Sequence, residues 1–476
     1  MYCQIVEGVL ENERRYNKLT RFILNGSALA ATSLLLRGIG VAWNSFLNAR
    51  LGAAGVGLIS LTMSVYMLAV TFATSAVGFA ATKLVAEARA RGLPGGGREV
   101  MKNCIAHALV TGSIACIALT LGADYIGKVW LGDARTIKSL RLLAVSLPPI
   151  AVSSALSGYF TAIRKVYKNA ATQLLEQFIK LTITAAALTF FAPPGSDLEF
   201  MCALVVGGAS LAEGASLVIS LSLYILDPVR REEAKSEAVP EGEGKGRGGI
   251  SLLLSVTVPL SVSAYVRSAL VTIEHILVPR GLKKYGAGHE SSLASYGVLH
   301  GMVLPLVLLP SSILYSYSSL LVPELAEAKA QGNYRLVRRI ITRAFLAALI
   351  YALVTSAVLW IWADRLGMSL YKNAEAGGFI RTMVPLVPVM YLDIVTDCAL
   401  KGLGEQVYSM KVNILDAAVS ALLVWLLVPG LGITGYTATI YIAELLNFAL
   451  SVARAASYAL DGSKIEQKKN LPAKAA

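Results

Sequence analysis

SALAATSLLLRGIGVAWNSFLNAR (residues 27–50) and TVPLSVSAYVRSALVTIEHILVPR (residues 257–280) are the two stretches that decide the fold. Each is an apolar helical segment ending on an arginine, and each carries another arginine deep inside. Arg37 and Arg50 lie in the first, Arg267 and Arg280 in the second, with twelve residues between the members of each pair. A guanidinium at the centre of a hydrocarbon layer costs roughly 2.5–3.5 kcal/mol on insertion scales. A chain that accepts this cost twice, at matched places, is expected to use both cations.

The setting is a membrane. Of 476 residues 55% are apolar and only 15% charged, and the mean hydropathy is +0.61. Stretches of about 20 apolar residues, enough to cross a bilayer core, fall near 21–48, 55–84, 102–122, 140–162, 169–192, 198–225, 250–278, 292–323, 336–362, 380–402, 408–429 and 434–457. The charged N-terminus (Glu11, Glu13, Arg14, Arg15) runs straight into a full-length span, which predicts no cleavable leader. Loop charge sets the orientation. With the N-terminus inside, inner segments hold 29 lysines and arginines against 11 outside, and Arg37, Lys180 and Arg267 remain within spans. The expectation is a multi-pass protein of the bacterial cytoplasmic membrane with both termini in the cytoplasm. The net charge of +13 is then mostly topology, and no nucleic-acid partner is implied.

The longest polar stretch, DPVRREEAKSEAVPEGEGKGRGG (227–249), reads as a flexible cytoplasmic linker. It separates an N-terminal six-helix lobe (1–226) from a second (250–458), followed by a cytoplasmic tail (459–476). The halves match one another. Arg37, Asn44 and Arg50 fall on Arg267, Glu274 and Arg280 at an offset of 230. Beyond KKYGAGHESS the offset becomes 240, pairing Asp124 with Asp364, Gly127 with Gly367, Arg141 with Arg381, Pro148 with Pro388 and Glu176 with Asp416. Six spans per half make the repeats parallel, so a two-fold axis along the membrane normal and a site near midplane are expected. The fold class is an all-α polytopic membrane protein of about twelve transmembrane helices in two pseudo-two-fold-related six-helix lobes.

Arg37, Asn44 and Asn48 share one face of the first span, and Ser263, Arg267 and Glu274 one face of the seventh. Lipid solvates none of these groups, so both faces are expected to point inward. Substrate contact is read for Arg37, Asn44, Asn48, Arg267 and Glu274, with helix–helix hydrogen bonding as the competing role for the asparagines. Arg50 and Arg280 fall at the outer mouth, placed for a part in release, with snorkelling to the interface as the competing and simpler role. Lys180 stands four residues after Glu176, either neutralised by it or serving as a third substrate-binding cation. Asp393, Asp397, Asp416, Glu213 and Glu444 read as intramembrane acids without a helix-spaced base. Glu274, Glu176 and Asp416 are the candidates for coupling to a monovalent cation or a proton. Pro305 and Pro310 are placed to kink the eighth span. No cofactor or metal site is expected: the four histidines have no ligand spacing, the five cysteines (Cys3, Cys104, Cys116, Cys202, Cys398) show no CxxC, and no GxxxxGK[ST] supports an ATP-driven pump.

Ala49-Arg50-Leu51-Gly52-Ala53-Ala54-Gly55-Val56-Gly57-Leu58 and Thr82-Lys83-Leu84-Val85-Ala86-Glu87-Ala88-Arg89-Ala90-Arg91-Gly92 resemble the stage V sporulation protein B family. These are polysaccharide-type transporters of the MOP superfamily, which also holds lipid II flippases and multidrug and toxic compound extrusion proteins. The resemblance implies a V-shaped pair of six-helix lobes (the MOP flippase fold) that alternates between inward-open and outward-open states. It implies as cargo a glycan or peptidoglycan precursor on undecaprenyl pyrophosphate, and a cavity position for Arg37. Trp43-Asn44 stands where the lipid II flippases tend to show a second arginine and an aspartate, and many relatives carry two further C-terminal helices.

A pyrophosphate headgroup suits bidentate arginine, so a flippase acting as a monomer, not an enzyme, is the leading expectation. A cation-coupled drug exporter of the same superfamily would call for acids where the first span offers arginine and asparagine. A membrane glycosyltransferase would need a larger outer loop. A non-transporting scaffold of wall assembly is the remaining alternative.

Overall fold

Backbone that crosses hydrocarbon must satisfy its own amides, and a helix does so within one segment. The computed structural model describes the backbone over residues 2–74, 76–90, 96–193, 196–227 and 249–470. Side chains are described over 33–88, 97–227 and 261–457, together with 31 and 257 and excepting 75, 89–96, 166, 194, 195 and 319. The linker therefore lies almost wholly outside the described residues, as does the side chain of Cys3. Among the described residues no strand is present.

The chain runs as α1 (Tyr2–Thr74), α2 (Val77–Ala90), α3 (Gly96–Tyr125) with a π-helical end (Ile126–Leu131), α4 (Thr136–Ala144), α5 (Leu147–Ala162), α6 (Val166–Phe191) and α7 (Leu198–Ile225). The second half gives α8 (Gly249–Lys284), α9 (His289–Tyr296), a π-helix (Gly297–Val303), α10 (Leu304–Val307), α11 (Ser311–Ala330), α12 (Tyr334–Tyr371), α13 (Ala374–Met383), α14 (Val387–Gly402), α15 (Gln406–Leu431) and α16 (Ile433–Asn470). Among the described residues, eight helical runs are long and apolar enough to cross a membrane, and ten if each of two bent pairs counts once. All but one of the sequence spans map onto them. Ser33–Ala88 holds the first two and the pair Thr136–Ala144 with Leu147–Ala162 is the fourth, whereas the seventh falls on α8, which is helical but not among these runs. The eighth is broken by 53° between His289–Val307 and Ser311–Ala330, at Pro310, as the proline positions anticipate.

Gly52 divides α1. Its φ of 73° and ψ of 174° lie in a region that is essentially glycine-only. Just before it, at Arg50, the contacts change hands. Two compact units form: one of Leu51–Arg280 with His289–Ala294, here the N-unit, and one of Met1–Arg50, Gly281–Gly288 and Ser295–Ala476, the C-unit. The chain changes unit after Arg50 and again after Arg280, 230 residues on, at matched places in the repeat. The sequence division at the linker keeps each opening helix with its own half; the contacts assign it to the unit built on the other half. The reason is visible in the bonds. Arg37, Asn44, Ser45 and Asn48 all donate to residues between 301 and 371. On α8, Tyr265 stacks on Phe72 at 4.2 Å, Thr71 donates to Ser268 and Thr272 donates to the Ser64 carbonyl.

In the N-unit, α2, α3 and α5 pack through small residues. A Cβ on Gly158 would strike the carbonyl oxygen of Gly78, so α5 and α2 meet backbone to backbone there. Buried Asp227 ends α7 between Lys165 at 3.0 Å and Lys168 at 2.6 Å. In the C-unit, Leu325, Ala328, Val337, Ala399 and Leu403 form one buried cluster. Ala348, Leu392 and Val395 form another. Left-handed turns recur at the 240 offset: Gly132 (φ 71°) with Lys372 (φ 50°), and Arg164 (φ 59°) with Gly404 (φ 78°).

Candidate functional site

Breaking a helix inside a membrane frees carbonyl oxygens that must find donors. Between Gly301 and Pro310 of the C-unit, side chains supply them. Asn44 Nδ2 donates to the Gly301 carbonyl at 2.7 Å, and Tyr371 Oη to that of Met302 at 3.1 Å. Tyr391 Oη donates to the Val307 carbonyl at 2.8 Å, and Arg37 to that of Leu308 at 2.6 Å. Ser312 takes the Leu309 carbonyl and Tyr351 that of Pro310. Arg37 also reaches Ser311 Oγ at 3.1 Å with the same terminal nitrogen. Its other guanidinium donors have no acceptor among the described residues, and the side chain is exposed. Asn48 Nδ2 donates to the Tyr371 carbonyl at 2.6 Å. The polar face of α1 is thus a row of donors aimed at one interrupted helix and the end of α12. Both asparagine amides are engaged by backbone, the role that competes with substrate contact. The three tyrosines of this set carry no signal in the sequence beyond Pro310, whose break creates the need for them.

A second polar feature of the C-unit is a cavity of about 110 Å³ lined by Tyr315, Asp393, Ile394, Asp397, Asn413, Asn447 and Ser451. Asn447 Nδ2 donates to Asp393 Oδ2 at 3.0 Å, and Ser409 donates to Asp397. Lys401 pairs with Asp397 at 2.5 Å. This corrects the reading of Asp397 as an acid without a helix-spaced base, since Lys401 stands at i+4. Tyr315 lines the same cavity. Asp416 and Glu444 are partly buried in the same unit. Carboxylate, amide and hydroxyl oxygens gathered in one small space suit a proton or a hard cation. Among the described residues, no group of three or more His, Cys, Asp or Glu is placed to hold a metal ion.

In the N-unit, Arg267 is exposed and makes no hydrogen bond or ion pair among the described residues. Glu274, two turns on, is half-buried. No ion pair joins Glu176 to Lys180, contrary to the self-neutralised pair expected from spacing: Glu176 Oε2 instead accepts from Ser216 at 2.9 Å, with Glu213 beside it. The matched outer arginines differ. Arg280 donates to the Val129 carbonyl, whereas Arg50 in the C-unit sits 5.8 Å from the Phe46 ring centroid, a cation–π contact.

One cluster carries no sequence signal. Asp133, in the loop after the third span, has a side chain only 4% exposed. Arg135 grips it with Nε at 3.0 Å from both oxygens and a terminal nitrogen at 2.6 Å. His289 Nε2 lies 3.0 Å from Asp133 Oδ2, and Arg135 also pairs with Glu290 at 2.8 Å. Burial alone would raise the Asp133 carboxyl, but the Arg135 guanidinium, the His289 ring and the Arg135 backbone N–H hold it down at about 2. His289 and Glu290 belong with Asp133 to the N-unit, although the chain before His289 and after Ala294 belongs to the C-unit.

Comparison with known proteins agrees with this architecture. The family model described as polysaccharide biosynthesis protein matches residues 23–329, and the model described as MatE matches 283–426. Stage V sporulation protein B of Bacillus subtilis (strain 168) is 28% identical over 91% of this chain and 83% of its own length. Lipid II flippase MurJ of the same organism is 22% identical over 86% of this chain and 78% of its own length. Among solved structures, an inward-facing multidrug resistance MATE family transporter of the MOP superfamily superimposes with a TM-score of 0.66 at 14% identity, covering 91% of this chain and 96% of that one. The shared fold is that of the MOP transporters. With the family model spanning more than half of its length, this multi-pass membrane protein belongs to the polysaccharide biosynthesis protein family of the MOP superfamily of transporters and flippases.

Proposed function

We propose that the protein is an alternating-access flippase for a glycan or peptidoglycan precursor carried on undecaprenyl pyrophosphate. The observation that carries this reading is Arg267, an arginine well inside a membrane helix with no protein partner among the described residues. A permanently charged group in such a place needs an anion or water, and a pyrophosphate offers the oxygens that a guanidinium fork fits. Arg37 supports it, because one terminal nitrogen is occupied by Leu308 and Ser311 while the rest of its fork is open. The lipid II flippase among the relatives is consistent with a lipid-linked cargo.

In this reading Arg37 and Arg267 hold the headgroup, Lys180 adds positive charge, and Glu274 with Asn44 and Asn48 borders the sugar or peptide. Arg50 and Arg280 lie toward the outer mouth. A monovalent cation or a proton, taken up on Glu274, Glu176 or Asp416 or in the Asp393-lined cavity, drives the cycle. The protein works as a monomer with both termini in the cytoplasm. The test is transfer of a fluorescent lipid-linked pyrophosphate across proteoliposome membranes. Arg267→Ala is expected to abolish transfer, and wild-type rates in that variant would overturn the assignment.

A further inference from the structure

The C-unit carries a groove that none of the transport roles uses. It has a volume of about 510 Å³ and runs between α12, α14 and α16, within the roughly 300–1,000 Å³ of small-molecule clefts. Along α12 its wall is Arg338, Ile341, Phe345 and Leu349, a single helical stripe at i, i+3, i+7 and i+11. Val395 and Ala399 form the floor, and Ala456 the far wall. Phe345 is held from behind by Phe448, the two rings stacked with centroids 6.2 Å apart. The hydroxyl of Thr396 is bonded within its own helix to the Leu392 carbonyl at 2.9 Å, and apart from Arg338 and Thr342 the remaining lining residues are apolar.

Charge sits at one end only. Arg338 is exposed and has no acceptor among the described residues. Arg339 and Arg343 follow on the shoulder of the same helix, and loop charge assigns this end to the cytoplasm. From Arg338 to Leu349 the stripe is about 16 Å long at 1.5 Å per residue. One cationic end and a long apolar trough leading from it toward the membrane interior match an amphiphile with a single anionic head.

We propose that this groove binds one anionic phospholipid of the cytoplasmic leaflet, its phosphate on Arg338 and an acyl chain along Phe345 and Leu349. The site is separate from the cargo. The groove lies wholly within the C-unit, and its cation is at the membrane surface, where the energetic cost that marks Arg267 does not arise.

Native mass spectrometry of the full chain, equilibrated with equal amounts of phosphatidylglycerol and phosphatidylcholine, tests it. Phosphatidylglycerol adducts are expected to exceed phosphatidylcholine adducts by about fivefold, the contribution of one basic residue near an anionic surface. Arg338→Ala should bring the ratio close to one, and Arg338→Lys should keep most of the preference. Ala456→Phe, which fills the trough from an exposed position, should remove both adducts. Because Arg338 is exposed, its alanine variant is expected to elute as the wild type does. An unchanged phosphatidylglycerol preference in Arg338→Ala overturns the proposal. So does equal protection of lipid-free protein by inorganic phosphate in a thermal shift, which would make the site one for free phosphate. A dimer mass that Ala456→Phe abolishes also overturns it, in favour of a second copy of the chain.

Discussion

Arg381 holds Asp364 at 2.5 Å, the same distance at which Arg141 holds Asp124, 240 residues earlier in the chain. The two bridges close the same turn of the repeat, so duplication preserved their geometry. Preservation is not strength: all four side chains are 46–61% exposed, and exposed ion pairs contribute about 0–1 kcal/mol. Arg141→Ala and Arg381→Ala are each expected to move the unfolding midpoint in detergent by little. A shift of many degrees in either would mean that the pair does more than a surface bridge does.

Gly52 is a different case. A Cβ there meets nothing within 4 Å, so space is not what calls for glycine. The backbone is: at φ 73° and ψ 174° a side chain strains the chain by about 1–3 kcal/mol. Gly52→Ala is therefore expected to destabilise, or to straighten α1 and slow transport. Gly40→Ala, on the same helix with equally open surroundings, should be neutral or slightly stabilising. Equal midpoints for the two variants would show that the break does not depend on glycine.

Asp133 sets a pH limit. Its carboxyl titrates near 2, below the ordinary 3.8, so the stability it contributes is complete above about pH 4 and is lost as pH falls toward 2. The difference corresponds to roughly 2 kcal/mol. Asp133→Asn should remove that part of the acid sensitivity and leave Arg135 short of its acceptor, at a cost of about 1.5–3 kcal/mol at neutral pH. Thermal unfolding of both proteins from pH 7 to pH 2 is the measurement. If wild type and variant lose stability in parallel below pH 4, Asp133 is not the titrating group.

Composition carried the spans and the break at Pro310, because the cost of polar backbone and charge in hydrocarbon constrains a sequence more than any soluble core does. The repeat was legible through Asp124, Arg141 and their partners at one offset. The exchange of opening helices between units was not, since an apolar helix face does not say which bundle it joins. Nor were Tyr351, Tyr371 and Tyr391 as carbonyl donors: each finds its acceptor through tertiary packing, without helical spacing. The Asp397–Lys401 pair is another matter. It obeys the i,i+4 rule and is legible in the sequence. Conversely, Glu176 and Lys180 obey the rule and do not pair, because Ser216 on α7 offers Glu176 a hydroxyl.

The cavity beside Asp393 invites a coupling experiment. Asn447 already supplies one neutral donor to Asp393, so Asp393→Asn preserves size while removing the titratable group. Transport by this variant is expected to lose its dependence on the driving cation or proton gradient, with the protein still folded. A gradient dependence equal to wild type would move the coupling site to Glu274, Glu176 or Asp416.

Arg37 and Arg267 occupy matched places yet have unequal surroundings, and this separates two roles that the sequence leaves joined. Arg37→Ala leaves the Leu308 carbonyl with only the Ser311 hydroxyl, so both stability and flipping should fall, the former by about 1–3 kcal/mol. Arg37→Lys restores a donor for that carbonyl without the planar fork; stability should return while flipping stays impaired. Arg267→Ala removes a group with no protein partner among the described residues, so the unfolding midpoint should hold or rise while flipping is lost. Measured side by side in proteoliposomes and by thermal shift, the three variants give a pattern that a purely structural role cannot produce. If Arg267→Ala is destabilised as much as Arg37→Ala and both retain flipping, the arginines serve the fold and the cargo is held elsewhere.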